Sequence, residues 1–204
     1  MINNYENLIR GMTLTEVLVV ITLSTVLMLG IMTVVIQFYQ LQGHLIAQRQ
    51  AIAEAENGMN QLVRDLRTMS FAFDGTYPLH ARSTTSIAFF VDVNGNQISD
   101  FVRYELRDKE LEKDVHVATG VPPVINMDTP DYTQVIAHSV QNQVLGIPLF
   151  LYTDRSGVPV LEGQGVANIS YIELNLHVNV DSNRITQPTE LRSSAAPRNL
   201  QVIE

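Results

Sequence analysis

An uncharged apolar segment near the start of the chain sets the first limit on its fold. Glu16 lies at the head of this segment, and the next charged side chain is Arg49. Residues 17–36 supply about the 20 residues that a helix needs to cross a hydrocarbon layer roughly 30 Å thick. A carboxylate at the centre of such a layer costs roughly 2.5–3.5 kcal/mol, so an acid there usually has a partner and a function. The sequence therefore predicts a transmembrane helix over 12–36 whose single acid has a specific role.

The segment 37–70 continues the helical pattern but has apolar residues on one side only. These residues recur at spacings of three, four and seven, which is the period of a helix. Gly58 weakens the helix by about 1 kcal/mol relative to alanine without ending it. We therefore predict one continuous helix from Thr13 to near Met69, roughly 85 Å long at 1.5 Å per residue. The apolar positions are Leu41, Leu45, Ile52, Ala55, Met59, Leu62, Leu66 and Met69.

Residues 71–204 have the pattern of an antiparallel β domain. A cluster of turn-forming residues at 74–78 ends the helical region, and Asn94-Gly95 predicts a tight hairpin turn. Apolar and polar residues alternate in the later segments, as in half-buried strands. The predicted fold is α+β, with a long N-terminal helix packed on an antiparallel β-sheet domain. Predicted strands cover 86–93, 98–107, 111–118, 132–140, 147–153 and 172–180, and a turn at 181–183 leads to an extended segment over 186–200.

Composition excludes some classes of function. The 204 residues carry a net charge of −8 and include no cysteine. Because nucleic-acid binding needs clustered cations, nucleic acid is not expected as the main partner. The absence of cysteine excludes a disulfide framework and a thiolate metal site, so the β domain must be held together by its core.

Four oxygen-bearing side chains near the predicted hairpin turn suggest one candidate metal site. Asp92, Asn94, Asn96 and Asp100 lie at alternate positions, as at the start of a calcium loop. However, Gln97 stands where such loops have glycine, and no glutamate occupies the twelfth place. A hairpin turn explains the same residues without a metal, so both interpretations stay open.

No pattern in the sequence predicts an enzyme or a bound cofactor. The five histidines lie in separate segments, and no two of them have the spacing of a zinc-binding pair. There is no Gly-x-Ser-x-Gly nucleophile turn. The glycines Gly163 and Gly165 precede a predicted strand rather than a helix, so they do not form a phosphate-binding loop. We therefore expect a non-enzymatic protein.

The start of the chain carries a family resemblance. Arg10-Gly11, then Met12, Leu14 and Glu16 before a long apolar helix, resembles the signal of type IV prepilins, which type IV pilins share with the pseudopilins of type II secretion. The resemblance implies a leader over 1–11, cleavage after Gly11 by a prepilin peptidase, and methylation of the new amine of Met12. It also implies that Glu16 is the assembly residue and pairs with the terminal amine of a neighbouring subunit.

The β domain is similar, more loosely, to minor pseudopilins of the J type and related minor pilins. The segments that carry this similarity are 89–92, 102–106, 149–154 and 198–200. Together, the two resemblances imply a structural subunit, minor or at the tip, whose partners are the peptidase, other pilin or pseudopilin subunits and the inner membrane. The chain would lie in a bacterial inner membrane as a single-pass protein, with its C-terminal domain in the periplasm or on the cell surface. The alternative is a binding module or adhesin tethered by an uncleaved anchor.

Overall fold

Helix α1 spans Leu14–Thr68 and confirms the predicted continuous helix to within one residue at each end. The structure is a computed structural model, and it describes residues 13–161, 163–180 and 187–200. The predicted leader 1–11, with its cleavage site at Gly11, lies outside the described residues. So do Met12 and the predicted turn at 181–183.

Within the described residues, the chain after α1 forms eight strands and one short helix. The strands confirm the predicted β domain, although most are shorter than the segments predicted from the sequence. The elements are β1 (Leu79–Arg82), β2 (Ser86–Val91), β3 (Asp100–Arg107), β4 (Glu110–His116), β5 (Tyr132–Ala137), the short α-helix α2 (Asn142–Leu145), β6 (Phe150–Thr153), β7 (Tyr171–Val178) and β8 (Thr189–Ala195). Two 3-10 turns, Val166–Asn168 and Arg198–Leu200, lie before β7 and after β8.

The strands form two antiparallel sheets in which neighbours along the chain are neighbours in space. The first sheet has the order β1-β2-β3-β4-β5, and the second has the order β6-β7-β8. The sheets are joined through backbone hydrogen bonds, since Leu149 and Phe150 both donate to the carbonyl of Thr84. The arrangement is therefore α+β, as predicted, but with two sheets.

The residues of the described chain divide into two units between Ile46 and Ala47. The boundary lies inside α1 because side chains of the helix become buried only in its later part, from Ala51 onward. The first unit is the apolar part of α1. The second unit combines the end of α1 with both sheets.

The core of the second unit lies between the end of α1 and the two sheets. Leu62 and Leu66 of α1 are buried with Phe89 and Tyr104 of the first sheet, whose rings stack at a centroid distance of 6.0 Å. Phe150 of the second sheet belongs to the same cluster. The predicted apolar stripe thus covers the sheets from Ala55 onward, as its helical spacing requires.

One local prediction is wrong, and two short elements of the structure were not predicted. The tight turn predicted at Asn94-Gly95 is wrong, because the connection between β2 and β3 runs from residue 92 to residue 99. Strand β1 was not predicted because its four residues are too few to show an alternating pattern. Helix α2 is a single turn that ends at Gly146, whose left-handed φ of 65° closes the helix.

Candidate functional site

The start of α1 is closed by a reciprocal pair of hydrogen bonds between Thr13 and Glu16. The backbone N–H of Thr13 donates to Oε2 of Glu16 at 3.0 Å, and the backbone N–H of Glu16 donates to Oγ1 of Thr13 at 3.3 Å. The Thr13 hydroxyl also donates to Oε2 of Glu16 at 3.0 Å. This arrangement is a capping box, in which a threonine and a glutamate three residues later satisfy helix N–H groups that have no partner within the helix.

The capping box gives Glu16 a partner that the sequence analysis missed. The sequence does contain the pattern of a capping box, since Thr13-Leu14-Thr15-Glu16 has the form T-x-x-E immediately before an apolar run. Oε2 of Glu16 accepts both bonds from Thr13, whereas Oε1 accepts none within the described chain. One carboxylate oxygen of Glu16 therefore caps the helix.

The apolar part of α1 has no covering layer in the described chain. Every side chain from Thr13 to Gly43 is exposed. Three hydroxyls in this part bond to the helix itself, because Thr22, Thr25 and Thr33 each donate to a carbonyl three or four residues earlier. The outer surface presented by residues 17–36 is therefore almost wholly apolar.

Helix α1 is long and apolar enough to span a membrane, by length and composition, and is the one such helix in the described chain. None of its most apolar stretch is buried, which distinguishes it from the core helix of a soluble domain. This finding supports a single-pass anchor near the N-terminus.

The later part of α1 approaches the first sheet closely at Gly58. A Cβ atom at this position would overlap both the side chain and the carbonyl oxygen of Ile136 in β5. The sequence indicated only that Gly58 weakens the helix. The structure gives the reason for a glycine here, since only a residue without a side chain lets helix and strand come this close.

A buried ion pair fixes the same part of α1 to the middle of the first sheet. Nζ of Lys113 lies 2.6 Å from Oδ2 of Asp65, and the hydroxyl of Tyr104 donates to the same oxygen at 2.7 Å. Burial, together with the charge of Asp65, raises the pKa of Tyr104, so that this hydroxyl remains a donor. Gln48 adds a contact to the second sheet, because it bonds to the backbone of Val178 and Val180.

The residues of the candidate calcium site lie in one loop and at the start of β3, and their side-chain oxygens accept hydrogen bonds from backbone N–H groups. Both carboxylate oxygens of Asp92 accept N–H groups of residues 95–97, at 2.7 to 3.2 Å. The amide oxygens of Asn94 and Asn96 accept N–H groups two residues later. Asp100 is fully buried and accepts the N–H groups of residues 93 and 118. This arrangement explains the polar residues as the internal scaffold of the loop.

Three histidines lie beside separate neighbours rather than converge on a site. No group of three or more His, Cys, Asp or Glu side chains in the described ranges is placed to hold a metal ion. His116 bonds to the carbonyl of Asn126, His138 to Glu110, and His177 lies 3.7 Å from Glu190.

The outer face of the first sheet carries an ion-pair network around Arg107. Its guanidinium contacts Glu105, Glu112 and Asp114 at 2.5 to 2.8 Å. Burial alone would raise the pKa of Asp114, but hydrogen bonds from Arg107 and Thr133 outweigh it and lower this pKa below its ordinary value. The network joins β3 and β4.

Comparison with known proteins adds no family assignment. No family model matches this chain, and a search of the curated proteins returned no match. Its function must therefore be inferred from its residues and their geometry.

Proposed function

We propose that this chain is a non-enzymatic subunit of a type IV pilus or of a type II secretion pseudopilus, in a minor or tip position. The precursor would insert in a bacterial inner membrane through the apolar part of α1. A prepilin peptidase would remove residues 1–11, and the subunit would then enter a filament through α1. The β domain would lie in the periplasm or on the cell surface.

The observation that carries this proposal is an exposed apolar helix with one carboxylate at its start. An apolar helical surface needs lipid or other helices around it, because water does not solvate it favourably. Lipid and a bundle of helices are similarly apolar, so packing and polar contacts decide between them. A carboxylate at a fixed place on the helix supplies such a polar contact.

The geometry at Glu16 suits a contact between subunits. The capping box holds the side chain at the start of the helix through Oε2. Cleavage after Gly11 would create an ammonium at Met12, next to the capping residue Thr13. In an apolar bundle, a carboxylate and an ammonium are each costly alone and stabilise each other when paired. Pairing between subunits would therefore set their stagger along the filament.

The first test is the natural N-terminus of the protein. Mass spectrometry of the chain isolated from its own membranes is expected to show a methylated Met12 as the first residue. An intact Met1 would instead identify a tethered binding module or adhesin with an uncleaved anchor, and would refute the filament proposal.

The second test separates pairing between subunits from capping within one helix. A Glu16→Gln variant keeps an oxygen that can cap the helix but loses the charge. A Thr13→Val variant loses the cap hydroxyl but keeps the charge of Glu16. We expect both to insert in the membrane, and only Glu16→Gln to lose incorporation into filaments, as measured by immunoblotting of sheared filament fractions. Normal incorporation of Glu16→Gln would show that Glu16 is only a cap.

A further inference from the structure

Four strands lie at sheet edges in the described chain, and three of them are protected against pairing with another chain. Open edges offer unpaired backbone groups, so natural sheets shorten, charge or cover them. Strand β1 has four residues, and its Arg82 donates to carbonyls of residues 160–164. Strand β6 is covered by the segment after it, since Val160 donates to Tyr152. Strand β8 presents the exposed charges of Glu190 and Arg192.

Helix α1 covers strand β5 only at Ile136, where Gly58 approaches it, and the rest of the strand has none of these protections. Its six residues, Tyr-Thr-Gln-Val-Ile-Ala, include no charge, no proline and no glycine. Four of them, Tyr132 to Val135, are exposed. A six-residue segment of this composition pairs readily with another extended chain. An edge of this kind is a hazard unless a partner uses it.

A groove of about 490 Å³ runs between this edge and α1. Residues 134–136 line it on the strand side, and Arg64 and Arg67 line it on the helix side. Both arginines are exposed, and neither guanidinium makes a hydrogen bond or an ion pair within the described part of the chain. Glu54, on the same helix, also lines the groove. The groove therefore offers two unpaired cations beside an open strand edge.

The strand register places these arginines on one face of any added strand. Gln134 pairs with Lys113, whose ammonium contacts Asp65 on α1, so Gln134 lies on the helix face of the sheet. Val135 pairs with Glu112 and lies on the opposite face. In an added strand, every second side chain would lie on the helix face of the sheet, near Arg64. The side chains between them would lie on the opposite face, near Val135.

We propose that β5 receives an extended acidic segment of another protein as a sixth strand of the first sheet. Backbone hydrogen bonds along β5 would hold the segment, and carboxylates at alternate positions would pair with Arg64 and Arg67. A second copy of this chain is a disfavoured partner for β5. Antiparallel pairing of two β5 strands would place both α1 helices on the same face of the joined sheet, and would bring the arginines of the two copies together. Such like-charge contacts oppose association.

Designed peptides test the proposal on the full chain in detergent micelles. The probes are two fluorescent nine-residue peptides with valine and threonine on one face, and with either glutamate or lysine on the other. By fluorescence anisotropy we expect the glutamate peptide to bind about tenfold or more tightly than the lysine peptide, a difference of at least roughly 1.4 kcal/mol. In an Arg64→Glu/Arg67→Glu variant the preference should reverse. Both arginines are exposed, so the substitutions leave the core intact.

Backbone methylation supplies a control for strand addition. Two versions of the glutamate peptide carry N-methyl groups at odd or at even residues, so that only one version blocks the N–H groups facing β5. One version should lose binding and the other should retain it. Equal affinity of the glutamate and lysine peptides, failure of both to bind, or full binding by both methylated versions would overturn the proposal. The proposal would also be overturned if the chain formed a dimer that the glutamate peptide dissociates, because β5 would then pair with a second copy of the chain. None of these measurements needs a filament, so they are independent of the proposed function.

Discussion

Gly58 is a residue at which close packing and helix propensity oppose each other. The new Cβ of a Gly58→Ala variant overlaps the backbone of Ile136 and forces helix and strand apart, which costs about 1–3 kcal/mol. Alanine returns about 1 kcal/mol in a helix interior, so we predict a net loss in the free energy of unfolding of up to about 2 kcal/mol. Urea denaturation of the full chain in detergent, followed by tyrosine fluorescence, measures the difference.

Gly43 provides a matched control on the same helix. A Cβ there would meet no atom within 4 Å, so Gly43→Ala should leave the stability unchanged or raise it slightly. If Gly58→Ala proves as stable as Gly43→Ala, the close approach of α1 to β5 is not a constraint on the fold.

Asp114 makes the stability of the second unit depend on pH. Its pKa in the folded chain lies below the ordinary value of about 3.9, so the unfolded chain binds its proton first as the pH falls. Its contribution is therefore fully present above about pH 5 and is lost as the pH falls through the folded pKa. We predict a shallower loss of stability between about pH 5 and pH 3 in Asp114→Asn than in the unaltered chain, measured by urea denaturation at each pH.

Asp74 is the corresponding control for a fully exposed acid. Hydrogen bonds from Thr76 lower its pKa as well, but water screens an exposed group. Asp74→Asn should therefore leave the pH profile almost unchanged. A profile for Asp114→Asn that matches the unaltered chain would show that the Arg107 network does not stabilise the fold.

At the scale of elements, the loop between β2 and β3 gives a prediction about calcium. Because Asp92 and Asp100 hold the loop through backbone N–H groups without a cation, we expect the same unfolding temperature in millimolar calcium and in excess chelator. Asp92→Ala should lower that temperature in both conditions, since it removes the acceptor of three backbone donors. A rise in unfolding temperature with calcium, lost in Asp92→Ala, would favour the calcium loop instead.

Strand β7 and the loop between β2 and β3 show why one element could be predicted from the sequence and another could not. Strand β7 was predicted because alternation is a local property, and Ile172, Leu174 and Leu176 are indeed buried. The alternation ends at Val178, because Asn179 is buried by contacts that the pattern does not contain. The Asn-Gly turn was predicted wrongly because a side chain outside that dipeptide, Asp92, organises the loop.

At the scale of the whole molecule, the sequence predicted the fold class but not its division into two sheets. The first part of α1 is apolar on all sides, and the later part has apolar residues on one side only. That change along the sequence indicates an apolar part followed by a part that packs on the sheets. The contacts of Gly58 with β5 and of Gln48 with β7 join residues that are distant in sequence. Such pairings determine the groove beside β5, so that surface could not be predicted. The capping box at Glu16 is local, and its pattern was readable in the sequence.

The same division predicts where the chain can be cut. A chain that begins at Ala47 retains Gln48 and all the buried residues of α1, which start at Ala51. We therefore expect it to fold without detergent and to unfold cooperatively in urea. A chain that begins at Gly58 loses Ala51 and Ala55 from the core, and should be less stable by on the order of 2–4 kcal/mol. Equal stability of the two chains would mean that the helix before Gly58 does not support the sheets. Aggregation of the longer chain would mean that the second unit depends on the apolar part of α1.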